Sequence, residues 1–118
     1  MSFNIYDLAA KEHATVEVLH PVTKLPTGAK ITIAGPASDE YEVQKSRLSE
    51  LLKEGTLSPG QSQVENIKFL AGCITGWEGM GVDYTPAEAI KLLSDKHMYA
   101  FRNWLDGELT SVANFIGA

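Results

Sequence analysis

Apolar and polar residues alternate over Ala14-Thr-Val-Glu-Val-Leu-His20, where Thr15, Val16 and Val18 are β-branched. A period of two is that of a half-buried strand. Val16 and Val18 then face one side, and Thr15, Glu17 and Leu19 the other. Ala29-Lys-Ile-Thr-Ile-Ala34 alternates again, with Ile31 and Ile33 inward, until Gly35-Pro36 stops it. The stretch from Pro21 to Gly28 is turn-rich and longer than a tight two-residue connection. The pattern predicts a β-hairpin over 14–34.

After Pro36 the period lengthens. From Ser38 to Glu54, Tyr41, Leu48, Leu51 and Leu52 mark a narrow apolar stripe at helical spacing. Asp39, Glu40 and Glu42 occupy the first turn, Lys53 the last, and Gly55 supplies the stop, as a helix dipole and a C-terminal cap favour. Ser58-Pro-Gly-Gln61 opens a second helix with a capping box, predicted to run to about Gly76. Val64, Ile67, Leu70, Ala71 and Ile74 form its stripe, and Phe69 and Cys73 widen it. Apolar residues on most of the circumference predict a largely buried, central helix. Thr85-Pro-Ala-Glu88 repeats the cap, with Ile90 and Leu93 as a short apolar face that Ser94-Asp95 interrupts. A last helix over about 97–116 places Met98, Phe101, Leu105, Leu109, Val112 and Ile116 in line, with Trp104 and Phe115 beside them. The fold class is α+β: an N-terminal β-hairpin (14–34), then a four-segment helical part (37–116), in a single domain over 1–118. A lone hairpin is marginal in water, so it must pack on a helix or pair with another strand.

The chain has 118 residues, a length at the mode for one domain. Ten basic and fifteen acidic side chains give a net charge of -5, evenly spread along the chain. That balance argues against nucleic-acid binding, which concentrates Lys and Arg on one face. The single cysteine, Cys73, leaves no disulfide framework and no cysteine-based zinc site. No apolar run approaches the roughly 18 residues that span a bilayer. No basic segment leads into an apolar core at the start, so no secretory leader is expected.

Candidate chemistry is sparse. His13, His20 and His97 are far apart and lack further ligands at metal spacing. Cys73 falls between apolar turns, where a thiol is more often a small core residue than a nucleophile. Nucleophile-elbow, phosphate-loop and dinucleotide patterns are absent. Glu78 and Asp83 flank a glycine-rich loop as a carboxylate pair, a placement more typical of solvated acids. No catalytic, cofactor-binding or metal-ligating residue is expected, and the chain is read as a non-enzyme.

The unusual segment is Gly72-Cys-Ile-Thr-Gly-Trp-Glu-Gly-Met-Gly-Val-Asp-Tyr-Thr-Pro86. Gly72, Gly76, Gly79 and Gly81 surround Trp77 and Met80. One reading is a connection between helices, with Trp77 capping the core and glycines allowing positive φ. A compatible one is an adaptable contact site, since Trp and Met are enriched at protein interfaces.

Here the chain resembles a known group. Thr75-Gly-Trp-Glu-Gly-Met80 leads into Val82-Asp-Tyr-Thr-Pro-Ala-Glu-Ala-Ile-Lys-Leu-Leu93, and the last helix closes with Ala113-Asn-Phe115. Upstream, His20-Pro-Val-Thr23 passes through Gly28 to the second strand, and Gly35-Pro-Ala-Ser38 begins a helix. In order and spacing, over most of 14–116, these motifs resemble the small tail assembly chaperones of tailed bacteriophages. The resemblance implies binding to the tape-measure protein, and to tail-tube subunits, before the tube polymerises. It also implies residence in the host bacterial cytoplasm, no catalysis and no cofactor. Trp77, Met80, Tyr84, Trp104 and Phe115 are the candidate protein-binding residues. A homo-oligomer is compatible with the same surfaces; nucleic acid and membrane are not expected partners. Two rival readings are a structural virion protein of the tail or head–tail region and a small phage-encoded inhibitor of a host protein.

Overall fold

The computed structural model describes residues 3–116. Residues 1, 2, 117 and 118, which the single-domain expectation includes, lie outside the described residues. Strand β1 (His13–Leu19) pairs antiparallel with β2 (Pro26–Ala34), as the alternation predicts. Helices α1 (Asp39–Lys53) and α2 (Pro59–Gly72) follow. The chain then forms a third strand, β3 (Ile74–Glu78), antiparallel to the other side of β2, so the sheet order is β1-β2-β3. Helix α3 (Pro86–Ser94), a 3-10 turn at Lys96–Met98, α4 (Tyr99–Thr110) and the short α5 (Val112–Phe115) complete the mixed α+β fold.

The sheet keeps one face dry and one wet, as an antiparallel sheet can. Two cross-strand rows, Ala14–Ile33–Ile74 and Val16–Ile31–Trp77, point into the core. The row Glu17–Lys30–Glu78 lies on the other face, which is exposed. Ile31 and Ile33 are fully buried and meet Leu70 and Ala71 of α2, Leu93 of α3, and Leu105 and Leu109 of α4 in one cluster.

Three expectations need correction. The second helix ends at Gly72, not near Gly76. Ile74 lies four residues after Leu70 but also pairs with Ile33, so it satisfies a helical stripe and a strand alike. The open edge of β2 decides between them, because a strand there bonds main-chain groups that would otherwise lack partners. That helix is also less central than its stripe suggests. Only Ile67, Leu70 and Ala71 of α2 are buried, while Val64 is half exposed. Finally, the last helix breaks at Ser111, whose ψ is extended. Asn114 Nδ2 donates to the main-chain oxygen of Glu108 at 2.8 Å and supplies a partner for the end of α4. The break exchanges the stripe position Val112, which is exposed, for Phe115, which is buried.

The caps form as the sequence predicts. Ser38, Ser58 and Thr85 each accept a hydrogen bond from the main chain of their helix's first turn, and Gln61 closes the box at Ser58. The Arg47 guanidinium on α1 holds Glu65 on α2 at 2.5 Å. It also holds that carboxyl below the ordinary carboxylate range. A lowered folded-state pKa stabilises above the unfolded value, so this helix pairing weakens as pH falls through the Glu65 titration.

In the hairpin turn Lys24 adopts φ 62. A side chain pays about 1 kcal/mol or more in this left-handed region, whereas glycine enters it freely. Lys24→Gly is therefore expected to raise the melting temperature by roughly 2–5 °C. Calorimetry checks this, and an unchanged midpoint would show that Lys24 recovers the strain elsewhere.

Candidate functional site

The glycine-rich segment is a strand and its outgoing loop. Trp77 points from β3 toward the core side and is half-buried. Its indole Nε1 donates to the carbonyl oxygen of Val82 at 2.9 Å, which closes the loop into a ring. Tyr84 meets Trp77 edge to face, with ring centroids 5.1 Å apart. Its hydroxyl donates to the carbonyl oxygen of Ile74 at 2.8 Å, at the start of the same strand. Partial burial pushes the Tyr84 phenol up. Gly79 turns with φ 71, and a Cβ there would stand 3.1 Å from the Gly28 carbonyl oxygen. Loop and hairpin thus approach by backbone, which only glycine permits.

Trp77, Met80 and Tyr84 are therefore brought together, and each keeps part of its surface in solvent. Exposed Val82 extends the apolar surface, and Glu78 and Asp83 line the same loop. Among the described residues neither acid forms an ion pair. The patch combines an aromatic edge, a thioether and a carboxylate rim, beside the free edge of β3.

Trp104 is not part of it. It packs with Phe101 on α4, ring centroids 5.8 Å apart, and lines a groove against Val18 and Leu19 of β1. That groove lies toward the opposite edge of the sheet from β3. Phe115 belongs to neither surface, which corrects its candidacy as a contact residue. It is 2% exposed. Its ring lies against Gly35, and its carbonyl oxygen accepts from the Lys11 amide at 2.7 Å. It holds the fold and is not accessible to a partner.

The motifs that carry the family resemblance all have contacts within the fold. Gly35 and Phe115 pack on each other, Asn114 ends α4, Trp77 and Tyr84 interlock, and Thr85 caps α3. Each short motif follows from packing.

The titratable candidates do not converge. His13 pairs with Glu40 at 2.5 Å. Nδ1 of His20 accepts from the amides of Val22 and Thr23, a turn-closing role. His97 is exposed at the 3-10 turn before α4. Among the described residues no three His, Cys, Asp or Glu side chains gather as a metal site. No helix of the described chain is long and apolar enough to cross a membrane. Cys73 is buried at the junction of α2 and β3, and burial pushes its thiol up to about 12. The thiolate is the reactive form, so Cys73 should label only when the core opens. At pH 8 an aromatic disulfide reagent is expected to react at least about a thousandfold more slowly than with a free thiol. Immediate labelling would show that the junction is open.

One apolar surface is missing from the sequence reading. Phe3, and Ile5, Tyr6 and Leu8 on the 3-10 turn Ile5–Leu8 that follows it, are all strongly exposed. Four large apolar residues within six positions were legible as a cluster, but they fit neither a helical nor a strand period.

The fold and these surfaces define an α+β domain with an aromatic–methionine patch at one sheet edge and an apolar groove toward the other. No family model matches the chain, and no curated protein or solved structure is significantly similar to it.

Proposed function

We propose that this chain is a non-enzymatic tail assembly chaperone of a tailed bacteriophage, acting in the host cytoplasm on the tape-measure protein or on tail-tube subunits. The observation that carries the reading is the clustering of Trp77, Met80 and Tyr84 as a part-exposed patch with acidic neighbours. Aromatic and methionine side chains adapt to varied apolar helices, and an acidic rim keeps the complex soluble. The choice of family and client rests on the resemblance carried by the ordered motifs from His20 to Phe115. Co-expression with the tape-measure protein of the same phage is expected to keep that protein soluble and to co-purify it. Val82→Glu, at a side chain of the same patch that is 54% exposed, should reduce capture while leaving the fold intact. Failure of every tail component to co-purify would overturn the reading.

A structural virion protein is favoured by one observation, the two open sheet edges at β1 and β3. Such edges pair readily with a neighbouring chain. Mass spectrometry of purified virions separates the two: a chaperone is absent from the mature particle, and a structural protein is present.

A further inference from the structure

The direction of each main-chain group on the edge strand β1 follows from its hydrogen bonds. The Gly35 amide donates to the Glu12 carbonyl at 2.8 Å, so Glu12 bonds toward β2. From His13–Ala34 to Glu17–Lys30 the pairing continues without a shift. Bonding alternates along an antiparallel pair, so Ala14 and Val16 bond β2, while His13, Thr15 and Glu17 turn their N–H and C=O groups outward. Two contacts agree with that phase. The Lys11 amide, the outward group before His13, is taken by the Phe115 carbonyl at 2.7 Å. The Thr15 and Thr32 hydroxyls meet at 2.9 Å, as side chains do in the close pairs that lack main-chain bonds. Beyond Glu17 the pairing becomes irregular. The outward set is therefore His13, Thr15 and Glu17, bounded at both ends.

Natural sheets blunt a free edge with lysine, proline or a covering element. His13–Leu19 contains neither Lys nor Pro. Its core-side Val16 and Val18 stay half-buried, where Ile31 and Ile33 of the next strand are fully buried. The β3 edge is less free. There the Tyr84 hydroxyl occupies the Ile74 carbonyl, and Gly76 sits mid-strand, where it weakens pairing.

We infer that β1 pairs antiparallel with β1 of a second copy, about a two-fold axis through Thr15. In this register the bonded pairs are His13 with Glu17, Thr15 with Thr15, and Glu17 with His13. Every outward group on both strands then finds a partner, about six hydrogen bonds at two per pair. Each Glu17 carboxylate faces an imidazole and threonine faces threonine, pairs that stabilise a ladder. His13 holds Glu40 of its own copy through Nε2 at 2.5 Å, which steadies the ring and leaves Nδ1 free. On the core side Val16 meets Ala14 of the other copy. Other two-fold registers do worse. An axis at Glu17 sets two carboxylates opposite each other. An axis at Ala14 sets Glu17 against Lys11, whose amide is already bonded, and an axis at Val16 sets His13 against Leu19, beyond the irregularity. The contact is isologous, so it closes at two copies and joins two three-stranded sheets into one. The Trp77 patch stands at the far edge and stays free.

Sedimentation equilibrium of the full chain, from low micromolar to near-millimolar concentration, tests this without any client. Its failure is therefore distinct from failure of the chaperone reading. A monomer–dimer equilibrium is expected. Thr15 is exposed, and Thr15→Lys or Thr15→Glu places like charges together at the axis. Each should lower the association constant at least about tenfold, with circular dichroism unchanged. Mixing the two variants should restore association, because Lys then faces Glu. Glu17→Lys, which sets a cation against His13, should also weaken the dimer and carries the test should the Thr15 variants fail to fold. Thr75→Lys, at an exposed position on β3, should change nothing. A monomer throughout overturns the inference. So does association that survives Glu17→Lys or a folded Thr15→Lys, a mixture of folded Thr15 variants that stays monomeric, or a dimer lost on Thr75→Lys.

Discussion

Gly35→Ala is expected to destabilise the fold by about 3 kcal/mol, the largest loss from adding a single methyl. A Cβ at residue 35 would stand 2.5 Å from Cδ1 and 2.7 Å from Cζ of the Phe115 ring. The ring is buried and cannot swing into solvent without vacating its place. Its displacement also threatens the Lys11–Phe115 main-chain bond and the last turn, α5. Of the 5–15 kcal/mol that holds a typical domain, such a loss is a large part. Urea unfolding measures it. A double-mutant cycle with Phe115→Leu isolates the cause, because residues in contact couple. The double variant should be more stable than the sum of the singles. Strict additivity would show that the ring is not the obstacle.

The second large effect is expected at Trp77. Trp77→Ala should cost about 3 kcal/mol, since it removes core contact, the edge-to-face pairing with Tyr84 and the closure of the loop onto Val82. Trp77→Phe keeps a ring beside Tyr84 and loses the indole donor, so about 1 kcal/mol is expected. Thermal unfolding checks both. Equal losses for the two variants would mean that the Val82 hydrogen bond, rather than the ring, holds the loop. Trp77 therefore serves the fold before it serves any partner. Loss of client binding in Trp77→Ala would not separate the two roles, whereas Val82→Glu, at an exposed side chain of the loop, does.

The hairpin and the first three helix starts were legible because each rests on local signals. Alternation placed Ile31 and Ile33 inward, and Ser38, Ser58 and Thr85 marked the caps. Strand β3 was not legible, since Ile74 fits two periods and only the neighbouring β2 edge selects one. The break at Ser111 was hidden for a similar reason. Val112 continues the helical stripe, yet the seat over Gly35 accepts Phe115, and that preference belongs to a contact eighty residues apart in sequence. At the candidate site, the grouping of Trp77 with Met80 and Tyr84 followed from sequence proximity. The separation of Trp104 and the burial of Phe115 did not, because a row of apolar residues carries no label for which face is inward.

The Lys11–Phe115 bond has a consequence for synthesis. The hairpin, α1, α2 and β3 have all been made while the place over Gly35 is still empty. Domains emerge from the ribosome residue by residue, and a core completed by a late segment cannot close early. A nascent chain of this protein holds its apolar sheet face open until α3 and α4 arrive, and its Gly35 seat until residue 115 follows. Closure of the core thus waits for the synthesis of residue 115, and chains cut short before Phe115 should be the natural substrates of cellular proteolysis.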